Sequence, residues 1–149
     1  MDTKLAKFKS GVPALITLLG LTAGCMDSTE PAETMFWQGS FQPPAQLAGG
    51  MAMMSEANIT IIAVEVEGAD EGDRLDWLVR TGSCDDPGNP LAPADAFPFL
   101  LLGEAGRAEA QAVLYRRVGD ADVYAGQVLA DAADGGGVLA CADLVRVQP

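Results

Sequence analysis

The chain has 149 residues, a length suited to one domain, with nine Lys and Arg against 21 Asp and Glu and a net charge of −12. Its three lysines, Lys4, Lys7 and Lys9, all lie near the start, so from Cys25 onward six arginines face twenty acids, a side-chain balance of −14. Such a surface is repelled by the phosphates of nucleic acid, and by anionic lipid head groups unless a covalent anchor holds it at a membrane. There is no histidine, which removes the usual general base, the commonest metal ligand and the physiological pH switch together.

The first element is a basic stretch, Asp2 to Ser10, followed by an apolar run from Gly11 to Leu21 that is short for a membrane span and ends in small residues. Leu21-Thr22-Ala23-Gly24-Cys25 resembles the lipobox of bacterial lipoproteins, with Thr22 standing where an aliphatic residue is usual. The resemblance implies a signal peptide over residues 1–24 and a lipidated Cys25 that heads the mature chain. Residues 25–34, Cys25 with Met-Asp-Ser-Thr-Glu-Pro-Ala-Glu-Thr, are polar and acidic and are expected to be a disordered tether. Met26 after the cysteine resembles the pattern of lipoproteins sent to the outer membrane of a two-membrane cell. The expected location is therefore the cell envelope, facing the periplasm or exterior, with the membrane reached through the N-terminal lipid.

The domain is expected over residues 35–149. Met35 to Phe41 is a first strand and Gly50 to Ser55 a short, methionine-rich second. Asn58 to Glu67 alternates most clearly, with Ile62, Val64 and Val66 on one face and Ala63, Glu65 and Glu67 on the other. A turn cluster, Gly68 to Asp73, leads to a strand over Arg74 to Thr81. Cys84 to Asp95 reads as a long loop with three prolines, and Pro98 to Leu102 as a short apolar run before a turn at Gly103 to Gly106. In Arg107 to Arg117 the alternation of Ala108, Ala110 and Ala112 with Arg107, Glu109 and Gln111 favours a strand, although alanine and glutamate prefer helices. Asp122 to Asp131 and Val138 to Val147 complete about eight short strands without βαβ alternation, so the expected class is all-β, an antiparallel Greek-key sandwich or barrel. Trp37, Trp77, Phe41, Phe97 and Phe99 are read as core.

With Cys25 carrying lipid, Cys84 and Cys141 remain as an even pair, and in an oxidising compartment a disulfide is the default. The segments around them carry a second resemblance. Trp77-Leu78-Val79-Arg80-Thr81-Gly82-Ser83-Cys84 and Val138-Leu139-Ala140-Cys141-Ala142-Asp143-Leu144 resemble two segments of copper–zinc superoxide dismutase-like domains and of the related CHRD-like (chordin-type) domains. In that family the two cysteines are tied, loop to last strand. The two copper ligands of its His-x-His motif fall on Leu78 and Arg80, a later histidine near Ala130, and the arginine that guides superoxide on Val138. Copper and zinc there require imidazole, so the resemblance implies the fold without the metals, the cofactor or the catalysis. Arg80 either places a cation where the metal charge would lie or is a solvated strand residue.

Other constellations point to no enzyme. Asp85-Asp86 and Asp131 with Asp134 flank the two cysteines and could hold calcium if the disulfide brought their loops together. Met51 and Met53 share one strand face and Met54 the other, which suits core filling more than Cu(I) binding. Gly135-Gly136-Gly137 precedes a strand, with no lysine after it, and reads as a hairpin turn rather than a phosphate loop. The expectation is a lipid-anchored, non-catalytic binding or structural module, with no protein partner specified. The alternative is a metal-handling or redox-protective envelope protein with a methionine or carboxylate site.

Overall fold

The computed structural model describes residues 32–131 and 136–148. The signal peptide, Cys25, most of the tether and Asp134 lie outside the described residues. No helix among the described residues is long and apolar enough to cross a membrane.

The domain is all-β. Its strands are β1 (Met35–Ser40), β2 (Ala48–Glu56), β3 (Ile59–Glu67), β4 (Arg74–Gly82), β5 (Pro87–Pro90), β6 (Leu100–Leu101), β7 (Arg107–Leu114), β8 (Val123–Ala130) and β9 (Val138–Val147). They form one antiparallel sheet in the order β5-β4-β8-β9-β1-β2-β3-β7, with β6 on β4. Four hairpins, β1–β2, β2–β3, β4–β5 and β8–β9, are joined by long connections that lay β9 beside β1, β4 beside β8 and β7 beside β3. These are the Greek-key crossings expected from the strand pattern.

The sheet curls so that its two halves share one core. Alternation decides which side chains enter it: Trp37, Met51, Met53, Ile62, Val64, Val66, Trp77, Val79, Tyr124, Val128, Ala142 and Leu144 are all buried. Trp37 meets Tyr124 edge to face with ring centroids 5.4 Å apart, and its indole N–H donates to the Ala121 carbonyl at 2.8 Å. Trp77 meets Phe97 likewise at 5.1 Å and donates to the Pro98 carbonyl. Both indoles therefore bury their rings without orphaning their donors. Gly126 of β8 lets the halves close up, because a Cβ there would lie 2.5 Å from the Met51 sulfur.

Three expectations need correction. The proline loop contains β5, paired to the outer edge of β4 at Arg80 and Gly82. Proline cannot donate to a ladder, so such a strand is restricted to an edge. The strand from Arg107 stops at Leu114, so Tyr115, Arg116 and Arg117 lie beyond it. Phe99 is 48% exposed rather than core, with the Arg74 guanidinium 4.2 Å above its ring.

Candidate functional site

The two cysteine segments meet on the outer face of β4, β8 and β9. Trp77 and Val79 point into the core, so the intervening Leu78 and Arg80 point outward. Register places Leu78, Gln127 and Cys141 in one cross-strand row and Arg80, Ala125 and Asp143 in the next. Although this is the outer face, Leu78, Ala125 and Gln127 are all buried.

The loop after β4 turns back over this face. Gly82 makes that turn possible at φ +84, a left-handed conformation that strains any residue with a Cβ. Cys84 then bonds to Cys141, with 5.9 Å between their Cα atoms. The Cys84 backbone N–H donates to Oδ1 of Asp143 at 2.7 Å, and Gln42 Nε2 donates to Oδ2 at 2.9 Å. Further along, Arg80 Nε donates to Gln127 Oε1 at 3.0 Å and Arg80 Nη1 to the Gly88 carbonyl at 3.2 Å. The Thr81 hydroxyl donates to the Asn89 carbonyl at 3.4 Å, and the Leu91 N–H donates to the Val79 carbonyl. The disulfide and the bonds from Cys84, Arg80, Thr81 and Leu91 thus hold the loop to the sheet.

The donor set does not fit copper or zinc. Leu78 has no ligand atom, the guanidinium of Arg80 is always protonated and only donates, and both cysteine sulfurs are spent on each other. That leaves an amide and one carboxylate. Ala130, where the resemblance puts a later histidine, pairs with Leu75 far along β4. The β8 residue between Leu78 and Cys141 is instead Gln127. Reading the sequence alone misses Gln127: its partner Arg80 is 47 positions away, and its one local sign is an amide inside the apolar run Val123 to Leu129. Arg80 is not freely solvated: it bridges Gln127 on the neighbouring strand and the Gly88 carbonyl of the loop.

The other constellations do not assemble. Asp131 lies 3.9 Å from Arg74, at the opposite end of β4 from Cys84, so it does not meet Asp85 and Asp86. Met51 and Met53 are buried in the core while Met54 faces outward. Among the described residues no three His, Cys, Asp or Glu side chains group as a metal site. A shallow groove crosses the outer face of β1, β2, β3 and β7 above Gly50, Ala52 and Ala63, between Gln38, Glu65, Glu109 and Gln111. It contains two carboxylates on neighbouring strands but no nucleophile set beside a base. Comparison with models of known protein families, with curated proteins and with solved structures finds no match for this chain.

Proposed function

We propose that this is a lipid-anchored protein of the cell envelope whose β-domain, of the copper–zinc dismutase-like or CHRD-like type, is a non-catalytic binding or structural module. The observation that carries the reading is the clamp at Leu78, Arg80 and Gln127. Where the resemblance places the two copper ligands of its His-x-His motif, the chain has a leucine and an arginine, and the arginine hydrogen-bonds to Gln127 and to the Gly88 carbonyl of the loop. The Cys84–Cys141 bond, loop to last strand, supports the resemblance and suits an oxidising, extracytoplasmic compartment. The anchor rests on the lipobox at Cys25, and the outer membrane is the favoured destination in a two-membrane cell because Met26 follows it.

The test is metal analysis of the full chain purified from its native membrane, together with an assay of superoxide dismutation. The reading expects copper, zinc and calcium well below one per chain and no dismutation above a heat-killed control. Stoichiometric copper or zinc, or dismutation lost on heating, would overturn it in favour of a metal-handling or redox-protective protein.

A further inference from the structure

One end of the domain carries a row of apolar side chains that the core does not use. Register aligns Val147, Phe36, Met54, Ile61 and Val113 directly across β9, β1, β2, β3 and β7. All five are on the outer face of the sheet. Phe36 is 45% exposed, Val113 40% and Val147 39%, and Tyr115, just past the end of β7, is 87% exposed. Of the eight large hydrophobic side chains exposed among the described residues, five lie here once Val145, one row inward, is included.

The chain toward Cys25 leaves from this same rim. Glu33 reaches Arg146 at 3.5 Å, and Arg117 donates to the Met35 sulfur at 3.7 Å. Met35 lies ten positions after Cys25, a reach of at most roughly 35 Å fully extended. The charges divide in the same direction. Arg116, Arg117 and Arg146 stand at the rim with Glu33, Glu56, Asp120 and Asp122, near balance. The other described residues include three arginines against thirteen acids. An anionic surface therefore repels every other side of the domain more strongly than this one. The segment bearing Tyr115 and Arg116 is also fixed in place: Thr60 donates to the Arg116 carbonyl, and the Val118 N–H donates to the buried Ser55 hydroxyl.

We propose that the rim formed by Phe36, Met54, Ile61, Val113, Tyr115 and Val147 rests on the surface of the lipid bilayer in which the protein's own anchor is inserted. The occupant is a lipid surface, and the inference rests on the anchoring at Cys25. Aromatic and aliphatic side chains meet the boundary between head groups and acyl chains, with Tyr115 presenting a polar tip and an apolar ring. The arginines flanking the row reach the phosphates.

The test uses the full lipidated chain reconstituted in vesicles of phosphatidylethanolamine and phosphatidylglycerol, with and without brominated acyl chains. Tyr115→Trp places a reporter at the rim; Phe99→Trp places one at the exposed aromatic near Arg74, away from it. Each spectrum is read as a difference from the wild type, which removes the signal of Trp37 and Trp77. The added emission of Tyr115→Trp is expected to be largely lost to brominated chains and that of Phe99→Trp to be retained. A mass spectrum of the Cys25 peptide is recorded on the same preparation. A lipidated Cys25 with equal quenching of both reporters, or none of either, overturns the inference alone. A Cys25 without lipid overturns the anchoring and the inference together. A dimer that shields Tyr115→Trp from an aqueous quencher without vesicles also overturns it and assigns the rim to a second copy of the chain.

Discussion

Replacing Cys84 and Cys141 together by alanine removes a crosslink between positions 57 residues apart. In the chain-entropy model, opening a loop of that length returns enough conformational freedom to the unfolded chain to cost about 4 kcal/mol. For a domain of this size that corresponds to a fall in Tm of roughly 15 °C. Asp143 holds the same junction through the Cys84 N–H and Gln42, so losing the bond also loosens a charge-assisted contact, and the two losses are not independent. The assay is a thermal melt by circular dichroism of wild type and double variant, each with and without reductant. The wild type is expected to lose the full interval on reduction, and the variant to start low and be indifferent to reductant. A wild type whose Tm does not move on reduction, or whose native thiols titrate freely, would refute both the pairing and the loop-to-sheet account of the site.

Gly126→Ala puts a Cβ 2.5 Å from the Met51 sulfur; the overpacking is expected to cost about 1–3 kcal/mol, read as a lower urea midpoint at unchanged m-value. Ser55→Ala leaves the Val118 N–H without its acceptor and removes the 2.9 Å hydrogen bond to Thr60, whose hydroxyl keeps the Arg116 carbonyl. A loss of about 1–3 kcal/mol is expected by urea titration, with faster amide exchange at Val118 by NMR. For pH, burial holds the Tyr124 phenol above its usual 10.0. The unfolded chain ionises first, so the contribution is whole below pH 10 and is lost as the pH rises through the folded value. Tyr124→Phe should therefore show a shallower alkaline decline than the wild type in stability measured from pH 9 upward, at a lower plateau because the 2.6 Å hydrogen bond to the Gly119 carbonyl is gone. An equally steep decline in the variant would remove Tyr124 from the explanation.

Most of the fold is legible because burial imposes period two on a strand. Ile62, Val64 and Val66 are buried and Ala63, Glu65 and Glu67 exposed, as their alternation requires. In Arg107–Leu114 the alternation prevails over the helical preference of its alanines and glutamate, because β3 offers a partner along the whole length. What escapes the sequence depends on distant partners. β5 exists only because β4 presents a free edge at Arg80 and Gly82, and nothing local marks Pro87–Pro90 as extended. Phe99 looks like core by composition, yet it lies half exposed under Arg74. At the site, the cysteine pair is legible from export and count, whereas the clamp of Arg80 on Gln127 requires the β4–β8 register. The apolar row behind Phe36 is likewise spread over five strands, and no window of the sequence contains it.

The central claim, a domain held at a membrane by lipid on Cys25, is tested most directly by fractionating native cells that express either the wild type or Cys25→Ser. The account predicts that the wild type sediments with the membranes and is released by detergent but not by salt or carbonate. Cys25→Ser should lose that detergent-dependent release. A wild type recovered in the soluble fraction, or a Cys25→Ser chain extracted only by detergent in the same way as the wild type, would contradict it.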